Sequence, residues 1–208
     1  MSIFAVIEGD TDEPVVRKLL GDAGLDVAHV YDMGGKSQID KRLKDFNDSA
    51  KGSPWFVLRD LDRDADCAPT FLRMVKLRKA RWMVFRLAVR ELEAWLLADH
   101  EGLSDFMKIS PSLIPARPDA EAKPTQTLVN LARRSSKKAI VRAFVPRQGD
   151  TVSVGPEYES KIIEFGQEHW SLHRASKRSP SLSSARRALG DLAGEWKRYV
   201  RGGTQGLG

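Results

Sequence analysis

The sequence predicts an α/β protein with a mainly parallel sheet flanked by helices, followed by a mostly helical C-terminal region. Two observations carry this prediction. In the first half, four short apolar runs alternate with segments of helical periodicity, and that alternation is typical of parallel strands joined by right-handed crossovers. Beyond Ser110 the chain contains several closely spaced prolines and then helical patterns without strand-like runs, so the sheet should end before that point.

Short apolar runs that end in turn residues indicate buried strands. The predicted strands are residues 3–8, 27–31, 55–60 and 82–89.

Apolar residues at helical spacing, together with proline at the first turn, indicate the helices. In the first half these helices begin near Pro14, Ile39, Pro69 and Leu92. In the second half helices are expected over 125–134 and 157–168. A last helix should be capped by Ser179-Pro180-Ser181 and carry an apolar stripe from Leu182 to Val200. We therefore predict an α/β domain over 1–109, a basic and mainly helical region over 110–201, and a flexible tail over 202–208.

Composition places the chain among ordinary globular proteins. Of its 208 residues, 41% are hydrophobic and 30% are charged, which is a typical balance. No apolar stretch approaches the roughly 18 residues that a membrane-spanning helix needs, and Met1 leads directly into the first strand without a secretory leader. Cys67 is the single cysteine, so an internal disulfide is excluded. We expect a cytoplasmic protein with no membrane partner.

The net charge of +6 is unevenly distributed. Residues 1–109 carry 17 basic and 19 acidic side chains, net −2, whereas residues 110–208 carry 17 and 9, net +8. The excess base either holds a polyanion such as DNA or RNA or simply solvates helix faces, and the charge alone does not separate the two. The candidate phosphate-binding residues are Arg133, Arg134, Lys137, Lys138, Lys177, Arg178 and Arg186.

Acidic side chains follow two of the predicted strands. Glu8 ends the first apolar run, and Asp60 and Asp62 follow the third. Open α/β sheets build their sites at the carboxyl ends of strands, so these three carboxylates should meet at one edge of the sheet. Clustered carboxylates repel one another unless a cation lies among them, and oxygen ligands favour Mg²⁺ or Mn²⁺. The solvated alternative is an acidic turn, because Asp64 and Asp66 continue the same run.

These residues resemble a known family. Glu8-Gly9-Asp10-Thr11-Asp12 after the first strand, with Asp60-Leu61-Asp62 after the third, is similar to the TOPRIM domain of topoisomerases, bacterial primases and OLD-type nucleases. The segment Arg86 to Asp99 with its Glu-Leu-Glu-Ala-Trp core, together with Gly155-Pro156-Glu157-Tyr158 and Ser179-Pro180-Ser181-Leu182, resembles a bacterial TOPRIM-like group, domain-of-unknown-function family 4276.

The resemblance implies roles for individual residues. Glu8 would be a metal ligand or general acid/base, Asp60 and Asp62 metal ligands, and Asp12 a second acid near Glu8. Glu91 or Glu93 would supply a further carboxylate; the two lie about 200° apart on a helix, so they should not both face the metal. OLD-type sites tend to place a small hydroxylic residue before the Asp-x-Asp pair. Arg59 stands there instead, which leaves the geometry of a second metal open.

Gly34-Gly35-Lys36-Ser37 lacks the earlier glycine of a P-loop, since Val30 occupies that position. Lys36 at a helix start either contacts a phosphate or is an ordinary solvated lysine.

The leading hypothesis is therefore a Mg²⁺-dependent nuclease that acts on DNA or RNA. The resemblance adds a role as effector in anti-phage defence and a partner ATPase. Two rivals remain open: a primase-like nucleotidyltransferase, and a non-catalytic subunit that binds nucleic acid or a partner protein.

Overall fold

The computed structural model describes residues 1–204 and confirms the predicted α/β class. Its sheet has four parallel strands in the order β2-β1-β3-β4. The strands are β1 (Ser2–Ile7), β2 (Asp26–Asp32), β3 (Trp55–Asp60) and β4 (Met83–Ala88). All four coincide with predicted strands to within two residues. The order places β1 and β3 side by side at the centre, so the residues that follow them are neighbours.

The central strands are apolar on both faces because both faces are covered. Alternate residues of a strand point to opposite sides. Ile3, Ala5 and Ile7 belong to one buried cluster, and Val6 belongs to the other. This double burial explains why the strands read as continuous apolar runs rather than as alternating ones.

Ten α-helices connect and cover the strands in the described part of the chain. They are α1 (Glu13–Asp22), α2 (Lys36–Ser49), α3 (Ala68–Val75), α4 (Glu93–Ala98), α5 (His100–Met107), α6 (Pro124–Ala132), α7 (Lys138–Phe144), α8 (Tyr158–Glu164), α9 (Leu172–Ser176) and α10 (Pro180–Thr204). The short helices α5, α7 and α9 were not predicted, because one or two turns are too short to show a helical spacing of apolar residues. None of the described helices is long and apolar enough to cross a membrane.

The two faces of the sheet are covered by different parts of the chain. Helices α2 and α3 pack on one face through Ile39, Leu43 and Phe71. The other face is covered by α1 and α4 together with the C-terminal helices, and its buried cluster runs in sequence from Ile3 to Ala193. The predicted division at residue 109 stays a prediction, but apolar packing is continuous across it. Helix α10 extends to Thr204, three residues into the predicted tail, and residues 205–208 lie outside the described chain.

Asp99 joins the first half of the chain to the second. Its side chain is fully buried and accepts hydrogen bonds from the backbone N–H groups of Gly102 and Ser171, at 3.2 and 2.7 Å. The Arg174 guanidinium donates to both carboxylate oxygens, at 2.6 and 2.8 Å. Four donors thus satisfy one buried charge, which is the condition for burying it at all.

Replacing Asp99 with alanine should destabilise the protein by about 2–4 kcal/mol, because Gly102, Ser171 and Arg174 lose their acceptor together. Urea unfolding measures the change. Asp105→Ala is the matched control: the Asp105 side chain is 89% exposed and pairs loosely with Lys108 at 3.6 Å, so its loss should cost less than about 0.5 kcal/mol. Equal effects of the two substitutions would contradict the role given to Asp99.

A carboxylate cluster at the carboxyl edge of the sheet

Glu8 and Asp60 meet where the two central strands end. Glu8 directly follows β1 and Asp60 is the last residue of β3. The backbone N–H of Asp60 donates a hydrogen bond of 2.7 Å to Glu8 Oε1. The adjacency expected from two apolar runs is therefore present, and one Glu8 oxygen is fixed by the neighbouring strand.

Asp12 lies beneath Glu8, in the tight turn between β1 and α1. Its Oδ2 accepts hydrogen bonds from the backbone N–H of Glu8 at 3.1 Å and of Gly9 at 3.4 Å. The residue is only 7% exposed. Asp12 thus holds the loop that presents Glu8, and its carboxylate is itself among the buried acids of this edge.

Glu91 and Glu93 accept hydrogen bonds from different residues, and only Glu93 lies in α4. Glu93, the first residue of α4, accepts a 3.0 Å hydrogen bond at Oε1 from the Tyr158 hydroxyl. Glu91 turns to the start of α6, where its Oε2 accepts from the backbone N–H and the hydroxyl of Thr125, at 2.9 and 2.6 Å. Glu93 therefore lies with the acids around Asp60, whereas Glu91 holds the start of α6.

The pKa values show how closely these acids interact. Burial raises the pKa of Asp60 well above its usual value, and the charges of Asp12, Glu93 and Glu8 raise it further. Burial likewise raises the pKa of Asp12 to about 7, against the opposing effect of its backbone hydrogen bonds. The pKa values of Glu93 and Glu8 are also raised, in both cases chiefly by burial. We call Glu8, Asp12, Asp60 and Glu93 the carboxylate cluster.

Asp62 lies at the rim of the carboxylate cluster rather than within it. Its backbone is left-handed, with φ of +47°, so the alternation of β3 ends before it and its side chain leaves the line of the strand. Asp62 Oδ2 accepts from Lys36 Nζ at 2.7 Å, and the same ammonium reaches Asp64 at 2.9 Å. The regular strand geometry therefore ends between Asp60 and Asp62. The proposed role of Asp62 as a ligand stays a prediction.

Arg59 explains the departure from the hydroxylic residue expected before the Asp-x-Asp pair. Its guanidinium is 3% exposed and pairs with Asp40 of α2 at 2.8 Å and with Asp64 at 2.6 Å. It also donates to the Asp60 carbonyl and stacks over the Phe71 ring at 4.3 Å. The arginine therefore holds the turn that follows β3 in place.

The donor chemistry suits a divalent cation, but the side chains do not converge on one point. Carboxylate oxygens are the ligands that Mg²⁺ and Mn²⁺ prefer, and a cation would relieve the repulsion that raises these pKa values. Across residues 1–204, however, no group of three or more His, Cys, Asp or Glu side chains is placed so that it could hold a metal ion. Lys36 supplies the positive charge at Asp62.

A cleft of about 450 Å³ opens beside the carboxylate cluster. Asp62 and Glu91 line it, and Lys36, Arg63 and Lys123 bring positive charge to it. Of the basic residues predicted from sequence, Lys36 lines this cleft and Arg133 lines the adjoining one.

The other predicted basic residues lie elsewhere. Arg186 makes a bidentate ion pair with Asp22, the last residue of α1. The length of α1 separates this pair from the carboxylate cluster. Arg178 donates to the Pro115 carbonyl. Four others are exposed and line neither cleft: Arg134, Lys137, Lys138 and Lys177.

Sequence analysis did not assign Tyr158, Arg63 or Lys123 to the site. Tyr158 lies in the Gly-Pro-Glu-Tyr segment that carried part of the family resemblance, so a signal for it existed. Lys123 stands before Pro124 in the proline-rich connection and has no local pattern that marks it. Only the tertiary fold, which brings the start of α6 beside Glu91, reveals its position.

Comparisons with known proteins give one structural neighbour. No protein-family model and no curated protein matches the chain. The structure is similar to the C-terminal region of the Burkholderia pseudomallei OLD protein, with 15% sequence identity and a TM-score of 0.39. The match covers 92% of this chain and 98% of that one.

Proposed function

We propose that the protein is a metal-dependent nuclease that hydrolyses phosphodiester bonds of DNA or RNA. The observation that carries the proposal is the carboxylate cluster itself. Four acids are crowded where β1 and β3 end and α4 begins, and their pKa values are raised by burial and by repulsion from neighbouring carboxylates. Such an arrangement is costly for the metal-free fold, and strongly perturbed groups beside a cleft are typical of functional sites.

Mg²⁺ or Mn²⁺ would be held by Glu8, Asp60 and Asp62, with Asp12 and Glu93 close enough to contribute. When bound, the metal would stabilise the charge that develops on the transferring phosphate. Side chains must rotate to form that site, and Lys36 must release Asp62, because the carboxylates do not converge as they stand. Lys36, which also pairs with Asp64, would then have a donor available for a phosphate of the substrate.

Glu8 is suited to proton transfer. Its Oε1 is held by the Asp60 N–H, and burial raises its pKa above its usual value, which is the direction that general acid/base catalysis by a carboxyl group requires. The Tyr158 hydroxyl holds Glu93 in place. Positioned groups of this kind matter because phosphoryl transfer depends mainly on orientation and electrostatics.

The resemblance to TOPRIM proteins and to family 4276 supports the same assignment from the sequence motifs. By that resemblance the proposal includes action as an effector in anti-phage defence and an ATPase partner; the composition adds a cytoplasmic location. A primase-like nucleotidyltransferase uses the same cluster, so the proposal is stated for cleavage and tested against synthesis.

The test incubates the purified protein with plasmid, linear DNA and tRNA in Mg²⁺, Mn²⁺ or EDTA. We expect loss of at least one substrate with metal and none in EDTA. Incorporation of labelled nucleotides without cleavage would favour the nucleotidyltransferase. Asp105→Asn, which changes an exposed carboxylate outside the cluster, is the matched control and should cleave at the wild-type rate. Absence of cleavage with every metal and substrate, including in the presence of a co-purified partner, would reject the nuclease.

A further inference from the structure

Three neighbouring cavities join into one groove that leaves the carboxylate cluster. The cleft beside Asp62 shares Gln126 and Ser153 with a second cavity of about 530 Å³. The second shares Arg147, Asp150 and Val152 with a third of about 350 Å³. Shared walls make these cavities successive parts of one depression, which runs along the start of α6 and the loop between α7 and α8.

The groove carries basic side chains that no other part of the described chain neutralises. Arg63 and Lys123 line its first part, and Arg133 and Arg147 line the second. All four are exposed, and within residues 1–204 none of their side chains makes an ion pair or hydrogen bond. By contrast, Arg59, Arg174 and Arg186 are held by carboxylates. Free cations along a groove are the pattern of a surface that tracks a phosphate backbone.

The acids that line the groove are each held by another group, and the basic side chains that line it outnumber them by five to four. Asp62 and Asp64 bind Lys36. Glu91 caps the start of α6 through Thr125, and Asp150 accepts the backbone N–H of Arg147.

The depth of the carboxylate cluster favours a single strand over a duplex. Glu8, Asp12 and Asp60 are not among the described residues that line the cleft, and Asp12 is 7% exposed. A phosphate must therefore be brought inward to reach them. A duplex is a stiff rod on this scale, with a persistence length of about 150 base pairs, whereas one strand bends freely into a narrow groove.

We propose that this groove binds a single-stranded polynucleotide through its phosphate backbone and leads it from Arg147 past Lys123 to the carboxylate cluster. The inference rests on the proposed nuclease function and adds the form of its substrate and its path. The described residues that line the groove include no aromatic side chain on which a base could stack. Recognition should therefore depend on charge and tolerate any sequence.

The test measures binding rather than cleavage. Fluorescence anisotropy in EDTA compares a labelled oligothymidine of about twelve nucleotides, within the usual site size, with a duplex of the same length. The variants are Lys123→Glu and Arg147→Glu. Arg78→Glu is the control. Arg78 is exposed, lies on the amino-terminal side of β4 and thus away from the carboxyl edge of the sheet, and its side chain has no partner in the described chain. All three substitutions change the net charge equally.

We expect the wild type to bind the single strand about tenfold more tightly than the duplex at moderate salt, because the stiff duplex cannot bend into the groove. Each groove variant should lose about tenfold in affinity and lower the salt dependence by about one released ion, while Arg78→Glu changes affinity less than about twofold. Tighter binding of the duplex, or equal loss in the control, would overturn the proposal. If a charge reversal fails to fold, Lys123→Gln and Arg147→Gln make the same comparison.

The outcome is separable from that of the nuclease hypothesis. Cleavage with Mn²⁺ is measured on the wild type alone. If the wild type cleaves but the Lys123 and Arg147 variants bind as tightly as the wild type, the nuclease hypothesis stands and the groove proposal is wrong. If the single strand binds in the groove but the protein never cleaves it, the groove proposal stands and the nuclease hypothesis is wrong.

Discussion

Replacing Asp60 with asparagine should abolish phosphodiester cleavage and also stabilise the metal-free protein. The Asp60 side chain is half-buried and lies beside the carboxylates of Asp12, Glu93 and Glu8, so its charge raises the free energy of the metal-free fold. Asparagine keeps the shape and removes that charge, and the gain should be about 1–3 kcal/mol at pH 8. Loss of a metal ligand should lower the cleavage rate by about a hundredfold or more.

Two measurements on the same Asp60→Asn preparation decide this prediction. Urea unfolding in EDTA gives the stability, and gel cleavage with Mg²⁺ or Mn²⁺ gives the rate. Asp66→Asn is the control, because Asp66 is an exposed member of the same acidic run and should leave both quantities nearly unchanged. Cleavage at the wild-type rate would refute the catalytic assignment. A marked loss of stability would instead make Asp60 a structural residue.

Asp12 should make the metal-free protein less stable as the pH rises from 5 to 8. Burial raises the pKa of Asp12 from 3.8 to about 7, so the folded state holds a proton that the unfolded state has released. A raised pKa contributes stability that is fully present below the unfolded value of 3.8 and is lost as pH rises through about 7. Asp12→Asn removes this dependence and keeps an oxygen to accept from Glu8 and Gly9.

Unfolding in EDTA at pH 5 and pH 8 measures the effect. The advantage of Asp12→Asn over the wild type should be about 2–3 kcal/mol larger at pH 8 than at pH 5. No measurement is made below pH 5, because Lys36 and Arg59 lower the pKa of Asp64 despite its partial burial and its protonation in more acidic solution would add a separate loss of stability. An advantage that is the same at both pH values would show that Asp12 is ionised throughout.

The sheet and the first two acids could be predicted from the sequence because their causes are local. The apolar run from Trp55 to Leu58 indicates a buried strand, and the polar residues that follow it must lie at the carboxyl edge. Glu8 follows from β1 in the same way. Their contact at 2.7 Å depends on β1 and β3 being neighbours. That strand order is a property of the whole sheet and cannot be inferred from either apolar run alone.

The rest of the site depends on contacts between distant segments. Arg59 is buried because Asp40 of α2 and the Phe71 ring surround it, which no pattern near Arg59 reveals. Asp62 leaves the strand through a left-handed backbone conformation that asparagine and aspartate adopt more readily than most residues, so the sequence permits it without requiring it. Tyr158 reaches Glu93 across 65 residues, and the role of its hydroxyl appears only once α8 is packed.

The continuous apolar packing from Ile3 to Ala193 has a consequence for how the protein is made. The face of the sheet formed by Ile3, Ala5 and Ile7 belongs to the same cluster as Leu182 and Leu189 of α10. At about 5–20 residues per second, translation needs roughly 5–20 s to proceed from the end of β4 to the end of that cluster. During that interval the nascent sheet exposes an apolar face on the ribosome. Chaperones that bind such surfaces should therefore associate with the emerging chain until its last helix has left the exit tunnel.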